Sequence, residues 1–350
     1  MTGVAEARGL FPVLERFAYL NAGTTGPLST ASHAAMAEWE ERALLSGRAG
    51  RPYFEAGAEL RQRVRERVAE LLGVTAACIV PTGSTTEGCN IVVTGLRLAP
   101  DDEIVTTDSE HPGLEQPVLA SGATVVRVPV LGRPDAEVVE AIAAAVTPRT
   151  RLVALSHVLW LNGQALPLAE IKRATGVPLL VDGAQSVGAI PVDAGVADFY
   201  TVSGQKWLCG PQLTGALYVA DHERLRPQMA SYGLAHAEDA TRLGISYHDP
   251  SAMAGLLVAI EQRPEWAFAR GAEMTARCRD ALRAAGIEVH TPPGPASMVA
   301  LTPPRDPDEA VSRCLDRDVI VRSLPNGWLR VSCGWWTSDD DVARLVQGIV

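Results

Sequence analysis

The sequence predicts an α/β protein: a large unit on a mostly parallel sheet covered by helices on both faces, followed by a smaller α+β C-terminal domain. Three observations carry this. From residue 55 to about 220, short apolar runs alternate with helical patterns, which is how a parallel sheet with crossover helices reads. After about residue 240 the texture shifts to longer helical patterns and a few short strands. A chain of 350 residues can also bury one large core and a second, smaller one. The limits drawn from these shifts are an N-terminal segment 1–18, a large domain 19–240 and a small domain 241–350.

The elements follow in order. Tyr19-Leu20-Asn21-Ala22-Gly23-Thr24-Thr25-Gly26-Pro27 is a turn-rich loop, whose small residues either form a bend or let a ligand approach the backbone closely. Ser29 or Thr30 caps a helix that runs to Leu45. The alternation then gives helix 55–72, strand 78–81, helix 85–97, strand 103–107, helix 112–120, strand 123–128, helix 135–146, strand 151–155 and helix 167–175. Apolar runs at 178–181, 198–202 and 215–220 complete the sheet. Beyond them come helices 251–262 and 265–285, a turn at Thr291-Pro292-Pro293-Gly294-Pro295, and strands near 297–302, 318–322 and 328–332.

Composition narrows the function classes. With 47% hydrophobic and 21% charged residues, the chain has the mix of a soluble globular protein. Its net charge of -10 argues against a nucleic-acid or anionic-membrane partner, since both need a surplus of Lys and Arg. The opening residues, Met1 to Arg8, lack the basic-then-apolar order of a signal peptide, and no apolar stretch is long enough to span a bilayer, so the cytoplasm is expected. Cysteines 78, 89, 209, 278, 314 and 333 form no CxxC pair and no Cys/His cluster, which predicts reduced, mostly buried thiols and no metal site.

The chemistry concentrates at the ends of the strands, where ligands sit in such sheets. Thr82-Gly83-Ser84-Thr85-Thr86-Glu87-Gly88 gathers amides and hydroxyls at a helix start, which suits a phosphate or simply caps the helix. Asp182 ends the run Pro178-Leu179-Leu180-Val181, and Gln185 follows three residues later. Lys206 stands in Ser203-Gly204-Gln205-Lys206-Trp207-Leu208, where its apolar neighbours desolvate it and lower its pKa. His111, after strand 103–107, is placed to stack on a flat ring or to cap a helix; His157 is a candidate of the same kind. Arg330 and Arg322, each among apolar neighbours, suit a substrate carboxylate or an internal ion pair.

An acid followed about two dozen residues later by a desolvated lysine fits pyridoxal phosphate, which needs a lysine for its Schiff base and a carboxylate for its ring nitrogen. The chain has no G-x-x-x-x-G-K-[ST] and no G-x-G-x-x-G, so nucleotide-binding readings lose ground.

Taken together, Thr85-Thr86-Glu87-Gly88, Glu110-His111, Val181-Asp182-Gly183-Ala184-Gln185 and Ser203-Gly204-Gln205-Lys206-Trp207 with Gly210-Pro211 resemble the class V aminotransferase family of fold type I. That family holds cysteine desulfurases, isopenicillin-N-epimerase-like proteins and carbon-sulfur lyases. The resemblance runs from about residue 19 to the C-terminus. It implies that Lys206 is the Schiff-base lysine, that Asp182 holds the ring nitrogen and Gln185 the phenolic oxygen, and that His111 stacks on the ring. It further implies Thr85, Thr86, Ser203 and Gln205 on the phosphate side and Arg330 on the substrate carboxylate, with Arg322, Asn21, Trp160 and Asn162 as further substrate-side candidates.

Three departures stand out. Gln205 occupies the place of a His common in desulfurases, and Trp160 that of an Asn that touches cofactor and substrate, with Asn162 two residues on. Third, the loop Arg322-Ser323-Leu324-Pro325-Asn326-Gly327-Trp328 has no cysteine, where desulfurases carry their sulfur-accepting thiol.

The resemblance therefore implies an enzyme acting on an amino acid by Cα deprotonation through an external aldimine. β-Elimination from a cysteine-type substrate leads, followed by transamination and epimerisation; a non-catalytic member serving as a binding partner is the different-class alternative. A homodimer is also implied, with Tyr247 in Ser246-Tyr247-His248-Asp249-Pro250 where a partner's phosphate contact is expected.

Overall fold

The helices of the chain are α1 (Val4–Gly9), α2 (Thr30–Ser46), α3 (Arg51–Leu72), α4 (Thr85–Gly95), α5 (Pro112–Ala120), α6 (Asp135–Ala145), α7 (Leu168–Thr175), α8 (Pro250–Glu261), α9 (Ala267–Ala284), α10 (Pro307–Leu315) and α11 (Asp339–Ile349). The strands are β1 (Ala18–Tyr19), β2 (Ile79–Thr82), β3 (Glu103–Thr107), β4 (Thr124–Val128), β5 (Thr150–Ser156), β6 (Leu179–Asp182), β7 (Phe199–Ser203), β8 (Gly215–Val219), β9 (Glu288–Val289), β10 (Met298–Thr302), β11 (Val319–Ile320), β12 (Arg322–Ser323) and β13 (Leu329–Ser332). The computed structural model describes residues 3–229, 231–234 and 236–350; Met1 and Thr2, which open the stretch examined for a signal peptide, lie outside the described residues.

Seven strands form the main sheet in the order β2-β8-β7-β6-β5-β3-β4. β8 runs antiparallel to both its neighbours, and the remaining pairs are parallel. The sequence runs are apolar without alternation because each strand has two dry faces. Val153, Leu155, Leu179 and Val181 point into one core, with residues of α3, α6, α7 and α8. Leu152, Ala154 and Leu180 point into another, with Cys89, Ile91, Val92 and Val93 of α4 and Leu114 and Val118 of α5. The parallel geometry carries Thr82, Thr107, Ser156, Asp182 and Ser203 to one edge of the sheet.

A second sheet, β12-β13-β10-β9, packs with α9, α10 and α11 around a separate core. Packing crosses both limits drawn from the sequence. Met253, Leu256, Leu257 and Ile260 of α8 belong to the core of the large sheet, although they lie beyond residue 240. Ala18 and Leu20 belong to the second core, where β1 pairs in parallel with β11. The single strand expected at 318–322 is two strands: β11 faces β1, while β12 faces β13. Helix α10 was not anticipated, although Asp306 caps it by accepting from the amides of Asp308 and Glu309, and Pro307 opens it. Among the described residues, no helix is long and apolar enough to cross a membrane, and no group of His, Cys, Asp and Glu is placed to hold a metal ion.

Candidate active site

A narrow cleft at the sheet edge is lined by His111, Ser156, Trp160, Asp182, Gln185 and Lys206, with Val158 and Ala184. The main-chain alternation places them: β5 ends at Ser156, β6 at Asp182 in register with it, and the loop after β7 carries Lys206. The side chain of Lys206 is partly accessible, yet burial pulls its ammonium down to about 8; the Asp182 charge opposes that, and Arg330 and Arg322 add to it. Lys206 Nζ has no hydrogen-bond partner among the described residues. Asp182 is buried, and its Oδ1 accepts from the Ala184 amide at 2.9 Å and from Thr201 Oγ1 at 3.3 Å, while Oδ2 has no hydrogen-bond partner among the described residues. A buried carboxylate with an unclaimed oxygen, facing a lysine with an unclaimed amine, is a donor set that fits pyridoxal phosphate.

His111 is the N-cap of α5: its Nδ1 accepts from the Gly113 amide at 3.0 Å, so the proton of the neutral ring is on Nε2. Burial, and the cations of Lys206, Arg322 and Arg330, hold its pKa down at about 4, while Asp182 opposes them. The capping role considered from the sequence is the one seen, and the capping ring also lines the cleft. Its edge meets the ring of Trp160, centroids 5.1 Å apart and planes at 88°. A methyl group on Gly113 would fall 2.7 Å from Thr86 Oγ1 and 3.1 Å from His111 Nδ1, so any larger residue has to displace Thr86 or this ring. His157 lies behind the cleft, with Nδ1 2.6 Å from the hydroxyl of Tyr200.

Arg330 is buried, and no ion pair joins it to an acid among the described residues. It donates to Trp160 O at 3.2 Å and to Thr24 Oγ1 at 3.1 Å, and Arg322 donates to the same Thr24 Oγ1 at 3.2 Å. Burial lowers the Arg330 pKa to about 9, and the charge of Arg322 adds to the effect. Two guanidiniums meeting without a carboxylate leave an anion to be supplied from outside. Asn21 supports this corner: its Oδ1 accepts from Thr24 Oγ1 at 2.8 Å, and its backbone bridges to Ser332. A Cβ on Gly26 would lie 2.2 Å from Lys206 O, so the loop runs hard against the lysine turn.

Other candidates lie around the cleft rather than on its walls. Ser84 caps α4 by accepting from the Glu87 amide, and Glu87 Oε2 accepts from the Gly83 amide, leaving the amides of Thr85 and Thr86 as unclaimed donors of the first turn. Ser203 and Thr82 both pair with Gly215 of β8, which sets these two strand ends side by side. Gln205 Oε1 accepts from the Leu213 amide at 3.3 Å. Asn162 does not line the cleft; its Oδ1 accepts from the Gln164 amide and closes its own turn. Tyr247 is 66% exposed and lines a separate groove of about 770 Å³ with Tyr53, Phe54, Arg61, Tyr232 and His248.

Three residues stand in the sequence motifs without an assigned part in the site. Glu110 is buried beside the cleft, accepting from Thr107 Oγ1 (2.6 Å), Ser156 N (3.0 Å) and Ser156 Oγ (2.5 Å), and burial raises it to about 7. Its place at the end of β3, next to His111, was the available signal. Thr24 and Trp207 gave none, because their partners are distant in sequence. Five of the six cysteines are buried and Cys78 is partly so, as expected.

The chain matches the family model described as "Aminotransferase class-V" over residues 18–253. It is 32% identical to the isopenicillin N epimerase of Amycolatopsis lactamdurans over 331 residues, covering 81% of this chain and 83% of that one. With the isopenicillin N epimerase of Streptomyces clavuligerus the identity is 32% over 240 residues, 65% of this chain and 60% of the relative. A probable cysteine desulfurase of Methanothermobacter thermautotrophicus is 34% identical over 61% of this chain and 55% of its own length. Among solved structures, the cystine C-S lyase C-DES in complex with its product cysteine persulfide superposes with a TM-score of 0.90 at 28% identity, covering 96% of this chain and 98% of that one.

Proposed function

This chain belongs to the class-V aminotransferase family and is a pyridoxal-phosphate enzyme, and from that premise we propose that it cleaves the carbon–sulfur bond of a cysteine-type amino acid by β-elimination. The observation that carries this reading is the meeting of Arg330 and Arg322 on Thr24 Oγ1, without an acidic partner, beside a lysine lowered to about 8. An α-carboxylate suits Arg330, and a second carboxylate, such as a disulfide-linked amino acid carries, suits Arg322. The likeness to a cystine C-S lyase supports the same reading.

The cofactor, when bound, supplies an electron sink that acidifies the substrate Cα–H. Asp182 Oδ2 is the free oxygen to hold the proton of the ring nitrogen, and the Thr85 and Thr86 amides with Ser203 stand ready for the phosphate. Lys206 Nζ, neutral in a good fraction of molecules near pH 8, takes the α-proton. His111 keeps Nε2–H as a donor for the departing sulfur, its other nitrogen being held by Gly113. The loop between β12 and β13 offers no thiol, and Cys314 and Cys333 are buried, so the sulfur leaves with a product rather than on the enzyme.

Epimerisation at Cα is the second reading, favoured by the alignment with the Amycolatopsis lactamdurans epimerase over 81% of this chain. A cytoplasmic homodimer is part of the proposal: Tyr247, Tyr232 and Phe54 leave aromatic surface open at the groove, where a second copy would cover it and bring Tyr247 towards the partner's phosphate. Sedimentation of the holoenzyme checks this; a fully loaded monomer would exclude it.

The test is to incubate purified holoenzyme with cysteine, cystine and non-sulfur amino acids while assaying pyruvate, sulfur release, keto acid and racemisation. Pyruvate with sulfur release, unaffected in a variant lacking all six cysteines, is the expected result. Racemisation without elimination would replace it with the second reading. Borohydride reduction followed by peptide mapping should place the cofactor on Lys206.

A further inference from the structure

We infer that Trp160 reads the α-carboxylate of the substrate: its indole N–H is a second donor to the anion that Arg330 holds, which makes it a specificity-determining residue for α-amino acids over simple amines. The inference rests on the amino-acid reading of the site.

Trp160 is 8% exposed and lines the cleft beside Lys206 and Asp182. Its Nε1–H is buried and has no acceptor among the described residues. A buried indole N–H without an acceptor is costly, and indoles in folded proteins usually find a partner. Trp39 and Trp335 also lack one, but neither lines this cleft.

The position of the acceptor follows from what surrounds the indole. Trp160 O accepts from Arg330 Nη1 at 3.2 Å, so the residue is fastened to the guanidinium through its own main chain. Arg330 Nε is likewise buried without a partner among the described residues. Two unclaimed donors, one charged and one neutral, on residues joined by a hydrogen bond suit the two oxygens of one carboxylate. Gln185, the other amide on the wall, spends one Nε2 hydrogen on Gly23 O at 2.9 Å. The indole is also held against the His111 ring at 5.1 Å, which limits its freedom to turn away.

The experiment titrates holoenzyme with glycine and with ethylamine, reading the change in cofactor absorbance, in the wild type and Trp160→Phe. Site-specific benzothienylalanine at position 160, which keeps the bicyclic shape and lacks the N–H, serves as the second variant. Cofactor affinity is measured separately by fluorescence. The expected result is glycine binding weakened about tenfold or more in both variants, with ethylamine and cofactor binding unchanged. Equal glycine affinity in wild type and variants overturns the inference, as does equal weakening for glycine and ethylamine, which would make the indole a packing group. A wild type that responds to ethylamine but not to glycine overturns the amino-acid reading and this inference together.

Discussion

The indole N–H of Trp207, the residue after Lys206, donates to Gln185 Oε1 at 2.9 Å, and Gln185 Nε2 in turn donates to Gly23 O at 2.9 Å. One carboxamide thus joins the lysine turn, the loop after β6 and the N-terminal loop. The first prediction follows from its burial. Gln185→Leu strands the Trp207 N–H and the Gly23 carbonyl, each costing roughly 1–3 kcal/mol. A urea midpoint within error of wild type would show that the three segments do not depend on this bridge.

Cofactor uptake should depend on pH through Lys206. Burial favours its neutral form, lowering the pKa to about 8, so the reactive amine is complete above that value and falls about tenfold per unit below it. The rate of loading of apoenzyme should rise to a plateau just above pH 8. A rise continuing past pH 10 would mean an unshifted lysine.

Glu110 sets a stability trend with pH. Its folded pKa is raised to about 7 from an unfolded 4.5, so the stability it contributes is complete below about 4.5 and is lost as pH rises through 7. Glu110→Gln lacks that loss, and its stability relative to wild type should improve by about 3 kcal/mol between pH 4 and pH 8. Parallel unfolding curves at the two pH values would contradict the burial argument.

The two arginines should separate substrates. Arg330→Ala leaves an α-carboxylate without its guanidinium and should lower kcat/KM by about 2 to 4 kcal/mol for every amino acid tested. Arg322→Ala should harm only substrates with a second carboxylate. A comparison of cystine with S-methylcysteine decides this, and an equal loss on both would remove the second subsite.

Much of this was legible in the sequence, and the reason is local. Strands β3, β6 and β7 were visible as apolar runs, and the polar residue closing each one, at 107, 182 and 203, falls on the edge where the cleft lies. Lys206 and Asp182, which the structure brings to one cleft, stood out by residue type and spacing. What the sequence did not disclose depends on partners far away. Thr24 meets Arg322 across 298 residues and Arg330 across 306, and the Gln185 carboxamide reaches Gly23 across 162. No periodicity announces such pairs. Asn162 was misleading for the opposite reason: its carbonyl serves a turn two residues away. Helix α10 was missed although its nine residues carry a one-sided apolar face and Asp306 and Pro307 mark its start.

The parallel pairing of β1 with β11 has a consequence for how the protein comes to be made. Ala18 and Val319 are partners, and Ser332 N donates to Leu20 O, so the first strand waits for nearly the whole chain to leave the ribosome. Residues 79–219, with β8 joining β2 to β7, bring the lysine, the carboxylate and the helix start together earlier, and contacts that close long loops form late. A nascent chain would then be able to capture its cofactor before it can recognise a substrate, and amides 18–26 should be the last in the site to gain protection in pulse-labelled hydrogen exchange during refolding.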